Sequence, residues 1–206
     1  MGNKRQDGAM DDLLATLDFF LEIDKLKGVE RRNHLADGSR VENTAEHSWH
    51  LGMAVALLAP FAAEPVDVAD AITMALIHDL VEIDAGDTFA YDEGEAAATK
   101  VAREEAAAER LYGLLPRAAG QRLRGLWESY ERGDTPEARL VMAVDRLAPV
   151  LLNLAEGGTT WRAHGITYDR VVARNRPHIE PVLRDAWSEV LTRLDAAVAE
   201  GRLPRS

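Results

Sequence analysis

The sequence contains no cysteine, which excludes disulfide bonds and thiolate metal sites. It also lacks any apolar run close to the roughly 20 residues of a membrane-spanning helix, so we expect no membrane partner. The first residues, MGNKRQDGAMDD, lack the apolar core of a secretory signal peptide. We therefore expect a cytoplasmic location.

Positive charge is scarce. The chain has 24 lysine and arginine residues against 35 aspartate and glutamate residues, which gives a formal net charge of −11. Nucleic-acid binding normally needs a basic face, so no nucleic-acid polymer is expected as a partner. A small anionic substrate stays compatible with this charge, because a metal ion or a local arginine can reverse the field at one site.

Strand-forming residues are also few. Alanine, leucine, glutamate and arginine dominate, whereas threonine, isoleucine and tyrosine are sparse, and this balance favours helices. No strand-like alternation of apolar and polar residues persists along the chain. The length of 206 residues suits one domain with a real core. We predict an all-α fold in a single domain.

Two helix starts can be predicted from their capping residues. NTAE resembles a capping box, with Asn43 as the cap and Glu46 three residues later. In GDTPEARL, Thr135 is the predicted cap and Pro136 the first helical residue. That second helix is expected to run towards Leu154.

Other segments are predicted from composition and periodicity. The charged stretch 27–43 is expected to be a loop. A helix is expected over 66–81, and another, rich in alanine, over 93–115. Pro177 is expected to open a C-terminal helix that ends near residue 200.

Four polar residues occupy or flank the apolar faces of three predicted helices. His47 lies four residues before Leu51 on one buried stripe, and Asp79 continues the stripe of the next helix. His78 lies on the flank beside that stripe, and Asp145 sits in the middle of a later one. Buried aspartates are rare unless they are paired or metal-bound. Convergence on one divalent cation, such as Mn²⁺, Co²⁺, Fe²⁺, Ni²⁺ or Zn²⁺, would satisfy all four side chains.

A structural explanation exists for each of these residues taken alone. Asp145 can pair with Arg146 or Arg139, and Asp79 can pair with Lys100. A lone buried histidine is usually a satisfied core residue. The order of histidine, histidine–aspartate and aspartate along the chain favours the metal when the four are taken together.

Three segments carry a resemblance to a known family: RVENTAEHSWH (40–50), ALIHDLVEIDAGDT (75–88) and MAVDRLAPVLLN (142–153). Their order and spacing resemble the HD-domain metal-dependent phosphohydrolase superfamily, which is defined by H…HD…D. Within it they resemble the branch of YfbR-type 5′-deoxynucleotidases and HD-domain-containing protein 2. The resemblance covers about 13–175 and implies a single HD-domain helical fold over 1–206.

The resemblance implies a chemistry. One divalent metal, with Mn, Co, Fe, Ni, Zn and Mg as candidates, would be held by His47, His78, Asp79 and Asp145. A (deoxy)nucleoside 5′-monophosphate would be hydrolysed to nucleoside and phosphate by attack of a metal-bound water.

The resemblance also implies phosphate-binding and catalytic residues. Arg32 matches the family's phosphate-binding arginine, with Arg31 as its neighbour, whereas the tryptophan that follows this arginine in the family is Asn33 here. Glu82 and Asp87 match the catalytic carboxylates. Glu82 follows His78 by about one turn and can face the same cavity. It would act as a general acid or base, while Asp87 would orient the water or the sugar.

Other readings stay open at this point. Two-metal members of the superfamily, including di-iron oxygenases, need extra histidines, but residues 80–144 contain none. A different small phosphorylated metabolite or a nucleotide alarmone is an alternative substrate. A non-catalytic nucleotide-binding module is a further alternative, although such modules commonly lose ligands and none is lost here. The family often forms dimers, so a homodimer is possible, with the helix from Glu93 at its interface.

Overall fold

The computed structural model describes residues 3–87 and 95–206, and the side chains of residues 8–87 and 99–206. Short 3₁₀ segments cover Ile23–Gly28 and Ala59–Phe61. Within the described ranges the helices are α1 (Asn3–Glu22), α2 (Thr44–Leu58), α3 (Val68–Ile77), α4 (Glu82–Ala85), α5 (Glu95–Gly113), α6 (Arg117–Arg132), α7 (Pro136–Ala155), α8 (Thr159–Ala163), α9 (Tyr168–Ile179) and α10 (Arg184–Ala199). The predicted all-α class is confirmed.

One small hairpin interrupts this helical pattern. Strand β1 (Glu30–His34) pairs antiparallel with β2 (Val41–Asn43), so the prediction of a loop over 27–43 was wrong. Arg31 is partly buried in β1, and Glu42 is buried in β2. Because the buried side chains are charged, the alternation that normally reveals a half-buried strand is missing from the sequence.

Both predicted helix starts are confirmed. The Asn43 side chain accepts a hydrogen bond from the backbone N–H of Glu46, and the Glu46 carboxylate accepts one from the backbone N–H of Asn43. The Thr135 hydroxyl oxygen accepts from the backbone N–H of Ala138 at the start of α7. These bonds satisfy N–H groups that the first helical turn leaves unpaired.

Two helix boundaries differ from the prediction. Helix α3 ends at Ile77, four residues before the expected end, and His78 is its C-cap. The C-terminal helix begins at Arg184, because Pro177 lies inside the last turn of α9. A proline so near the helix end removes only one hydrogen bond, and the buried side chain of Ile179 keeps this turn against the core.

Helix α7 lies at the centre of the main core. That core combines buried residues of α2, α3, α7, α9 and α10, whose largest side chain is Trp187. A second cluster contains Phe19, Leu80 and Trp127. Helices α2, α3 and α7 all contact one another, so polar residues on their inner faces are brought together. Among the described residues, no helix combines the length and the apolar character that a membrane crossing requires.

Candidate metal centre

Three helices place the predicted ligands at one point. His47 lies in the first turn of α2, His78 at the end of α3 and Asp145 in the middle of α7. Each offers one ligand atom, and these atoms all lie within 4.8 Å of one another. Both histidines are only 2% exposed. The inner faces of the helices thus form a buried cluster.

Asp79 completes the arrangement. Its Oδ2 atom lies 3.1 Å from His78 Nε2 and 3.8 Å from His47 Nε2. Asp145 Oδ1 lies 3.0 Å from His47 Nε2 and 3.9 Å from His78 Nε2. Each carboxylate is therefore near both imidazoles, and all four predicted ligands meet.

The cluster fits a divalent cation. Both imidazole Nε2 atoms are buried and have no hydrogen-bond partner, although a buried unpaired polar atom costs about 1–3 kcal/mol. A cation between them and the two carboxylates would satisfy both nitrogens. Two imidazoles and two carboxylates are a donor set that suits Mn²⁺, Fe²⁺, Co²⁺, Ni²⁺ or Zn²⁺.

The Nδ1 atoms of the two imidazole rings each face an oxygen atom of a neighbouring residue. His78 Nδ1 lies 2.9 Å from the carbonyl oxygen of Ala75. A carbonyl only accepts, so Nδ1 carries a proton, and Nε2 is the ring nitrogen that a cation would take up. His47 Nδ1 lies 3.6 Å from Oε2 of Glu42, which is itself buried. The contact with Ala75 thus orients the His78 ring, whereas His47 Nδ1 faces the Glu42 carboxylate beyond hydrogen-bond distance.

The charges of the cluster stabilise one another. Burial opposes ionisation of Asp79, but His78, Arg31 and His47 hold its pKa well below the usual range. The pKa of Asp145 is likewise low, because His47 and His78 outweigh the effect of burial. Burial also opposes protonation of the two histidines, yet the facing carboxylates raise both of their pKa values.

The two candidate phosphate-binding arginines occupy different environments. Arg31 is largely buried and donates from Nη1 to Asp79 Oδ2 at 2.8 Å. Arg32 is exposed, and it lines the same pocket. Two of the alternative ion pairs considered for the aspartates are replaced by others, since Lys100 pairs with Glu104 and Arg139 pairs with Glu64.

The two candidate catalytic carboxylates border the same pocket. Glu82 is buried, and its Oε2 atom accepts a hydrogen bond of 2.9 Å from the Thr44 hydroxyl. Burial, followed by the charge of Asp79, raises the pKa of Glu82 to about 9. Burial also raises the pKa of Asp87. The structure therefore brings Glu82 and Asp87 beside the cluster of histidines and aspartates.

The pocket extends away from this cluster. It has a volume of about 360 Å³, which falls within the range of small-molecule sites. Its lining includes both arginines and three of the four candidate ligands, His78, Asp79 and Asp145. The remaining wall contains Arg146, Asn153, Trp161 and Arg174, and it combines apolar surface with polar groups as binding sites for organic ligands commonly do.

Three supporting residues were missed by sequence reasoning. Glu42 stands behind His47, Thr44 contacts Glu82, and the Tyr130 hydroxyl donates to Asp145 Oδ2 at 3.2 Å. Glu42 would have been found only if β2 had been predicted, because strand geometry turns it inwards. Nothing in the local sequence marks Tyr130, whose role depends on how α6 packs against α7.

A family model described as HD domain matches residues 23–187. This span is most of the chain and includes all four candidate ligands. The chain belongs to the HD-domain family. The expected relationship is thus confirmed.

Individual relatives place the chain more closely within the HD-domain family. The 5′-deoxynucleotidase HDDC2 of Danio rerio is 29% identical over 69% of this chain and 68% of the relative. The human HDDC2 is 25% identical over 89% of this chain and 90% of the relative. These matches support the expected resemblance to the HDDC2 branch.

A solved structure resembles the chain along almost its whole length. It is the crystal structure of a protein from Magnetospirillum magnetotacticum described as a predicted metal-dependent phosphohydrolase. The two share 44% sequence identity with a TM-score of 0.88, over 94% of this chain and 96% of that one. This HD-domain protein is therefore a member of a metal-dependent phosphohydrolase family.

Proposed function

We propose that the protein is a phosphoric monoester hydrolase that uses one divalent metal ion and acts on (deoxy)nucleoside 5′-monophosphates. The observation that carries the proposal is the pair of buried, unpartnered Nε2 atoms of His47 and His78, which face Asp79 and Asp145 at the end of an arginine-lined pocket. The nucleotide substrate rests on the resemblance to HDDC2 relatives that are named 5′-deoxynucleotidases.

The four residues His47, His78, Asp79 and Asp145 would hold the cation. When bound, it supplies a Lewis acid that polarises a phosphoryl oxygen and lowers the pKa of water. Arg31 pairs with Asp79 and balances part of the negative charge that the two aspartates bring to the centre. Tyr130 holds the Asp145 carboxylate in place.

Arg32 is the residue proposed to bind the substrate phosphate. Its exposed guanidinium group lies at the pocket, whereas that of Arg31 already bonds to Asp79. A planar guanidinium group can donate two parallel hydrogen bonds to a phosphate. The same charge would stabilise the negative charge that builds up on the phosphoryl oxygens.

Glu82 is proposed to transfer a proton in the reaction, and Asp87 is proposed to orient a reactant. Water forms a bond to phosphorus, the bond from phosphorus to the 5′ oxygen breaks, and that oxygen takes up a proton. Glu82, oriented by Thr44, would exchange the proton with the water or with the leaving oxygen. Asp87, which lies beside Glu82 and lines the same pocket, would orient the water or a sugar hydroxyl.

Phosphate release from a panel of nucleoside 5′-monophosphates tests the proposal. Metal-stripped protein is assayed with Mn²⁺, Co²⁺, Mg²⁺ and Zn²⁺ in turn. The Asp79→Ala variant removes a proposed ligand. The Asp84→Ala variant is a matched control, because Asp84 lies in the same segment but pairs with Arg110 on the surface. We expect metal-dependent release that disappears only in Asp79→Ala.

Two results would contradict the proposal at different levels. A protein that binds about one metal per chain but hydrolyses no nucleotide would act on another phosphate ester or serve as a binding module. A folded protein that binds no divalent metal would refute the four-ligand arrangement itself. Isothermal titration of each metal into the stripped protein separates these cases.

A further inference from the structure

The pocket continues along α7 beyond the candidate ligand Asp145. The residues of α7 that line it include Asp145, Arg146, Pro149, Val150 and Asn153. Because an α-helix rises about 1.5 Å per residue, Asn153 lies about 12 Å from Asp145 along the helix axis. The pocket thus follows α7 for about two turns, from the candidate metal centre past an apolar stretch to a buried amide side chain.

The amide of Asn153 has an oxygen atom without a partner. Asn153 is 3% exposed, and its Nδ2 atom donates a hydrogen bond of 2.8 Å to the carbonyl oxygen of Pro149. Because a carbonyl oxygen only accepts, this bond fixes which end of the amide is the nitrogen. The Oδ1 atom is buried and accepts no hydrogen bond from the described part of the chain. Buried acceptors are normally paired, so this atom marks a place where a ligand can donate.

Asn175 has the same arrangement on α9. It is 4% exposed, and its Nδ2 atom donates a hydrogen bond of 2.8 Å to the carbonyl oxygen of Val171, four residues earlier. The amide oxygen is therefore turned away from that carbonyl. Asn175 lines the same pocket as Asn153, and α9 packs against α7. We call these two residues the amide wall, which offers two oxygen atoms as hydrogen-bond acceptors.

Apolar side chains border the amide wall. Pro149, Val150, Trp161 and Ile166 line the same pocket, and Trp161 and Ile166 are buried. Such surroundings suit a flat ring, because its faces pack on apolar side chains while its polar edge needs hydrogen-bond partners. Two acceptors are complementary to a ring edge that carries two N–H donors.

We propose that the amide wall binds the exocyclic amino group of adenine or cytosine, and that the protein therefore prefers nucleotides of these bases to those of hypoxanthine or uracil. The amino group has two hydrogen atoms and can donate to both amide oxygens, whereas the oxo group of hypoxanthine or uracil only accepts. An oxo group would face two acceptors and leave the Asn153 oxygen unsatisfied.

The position of the amide wall agrees with this assignment. The inference rests on the proposed function, which places the substrate phosphate at the metal beside Asp145 and Arg32. The base is the part of a nucleoside 5′-monophosphate that lies farthest from the phosphate, and the amide wall is the part of the α7 lining farthest from Asp145. A purely structural role for Asn153 explains its bond to Pro149 but leaves its buried oxygen unpaired.

Paired substrates that differ in this one group test the amide wall. The value of kcat/KM is measured for dAMP against dIMP and for dCMP against dUMP. We expect each amino nucleotide to be favoured by about 10–100-fold, as when a buried acceptor loses its donor. Asn153→Leu and Asn175→Leu should each remove most of this preference. Arg139→Gln is the control on the same helix, because Arg139 pairs with Glu64, and it should keep the wild-type ratio.

Isothermal titration of deoxyadenosine and deoxyinosine supplies a readout that does not require catalysis. Tighter binding of deoxyadenosine that is lost in Asn153→Leu would support the amide wall even if no nucleotide is hydrolysed, and only the proposed function would then fail. The absence of any preference for the amino ligand in both assays would overturn the inference. A preference that persists in the Leu variants would also overturn it, with circular dichroism to verify that each variant is folded.

Discussion

Substitution of Glu42 tests whether a charge behind the candidate ligands contributes to metal affinity. Its carboxylate is buried, and one oxygen, Oε2, lies 3.6 Å from His47 Nδ1 and 3.8 Å from Arg31 Nε. Neither Oε2 nor Arg31 Nε has a hydrogen-bond partner. The Glu42 charge therefore stands behind one candidate ligand and beside the arginine that pairs with another, so we expect Glu42 to act as a positioning residue.

The substitution Glu42→Gln removes the charge and keeps the shape. Replacing a group that orients a ligating histidine typically lowers metal affinity about 10–100-fold. The 3.6 Å separation exceeds the usual 2.7–3.2 Å of a hydrogen bond, so we expect a loss near the lower limit. A tenfold loss corresponds to about 1.4 kcal/mol of binding free energy.

Competition of the protein with a chromophoric chelator for Zn²⁺ or Mn²⁺ measures this loss. Glu46→Gln is the matched control, because Glu46 lies in the same segment but pairs with Arg40 at the surface. Glutamine also retains the capping box at that position. Unchanged affinity in a folded Glu42→Gln variant, or an equal loss in Glu46→Gln, would refute the positioning role.

Three further predictions concern stability. Chelation of the metal should lower the melting temperature. Metal added back at 100 times its dissociation constant should raise the free energy of unfolding by about 2.7 kcal/mol. A melting temperature that changes neither with chelator nor with metal in calorimetry would contradict the metal site. Asn43→Ala should lower the free energy of unfolding, measured with urea, by about 1 kcal/mol, because the α2 cap is lost. Asn43→Asp keeps a capping side chain and should be as stable as the wild type. Gly158→Ala and Gly165→Ala both place alanine at positive φ, which costs about 1–2 kcal/mol. Of these two positions, only at Gly158 would the new Cβ meet a carbonyl oxygen, that of Arg202 at 2.5 Å. The Gly158→Ala variant should therefore lose about 1–3 kcal/mol more free energy of unfolding than Gly165→Ala. Equal losses of unfolding free energy in urea titrations would argue against that clash.

The candidate ligands could be identified before any coordinates because they break a local pattern. His47, Asp79 and Asp145 stand on stripes that are otherwise apolar, and the spacing of a helix defines such stripes from neighbouring residues. The pattern does not predict that these side chains lie close together in space. It depends on contacts among α2, α3 and α7, which the sequence of any one helix does not contain.

The different environments of Arg31 and Arg32 could not be predicted from the sequence. Adjacent positions in the chain gave no means of separating Arg31 from Arg32. In the structure Arg31 reaches Asp79, 48 residues away, while Arg32 stays exposed. The register of the β1–β2 hairpin decides which side chain turns inwards, since successive residues of a strand point to opposite faces.

By itself the sequence determined the helical class, the capped starts of α2 and α7, and the set of candidate metal ligands. These features follow from interactions within one or two helical turns, which a linear pattern records. Only the tertiary structure decided the hairpin, the positions of Glu42 and Tyr130 beside the candidate ligands, and the burial of Arg31 in place of Arg32. Those features follow from which distant segments pack together, and burial of charged strand residues hid them from any hydrophobic pattern.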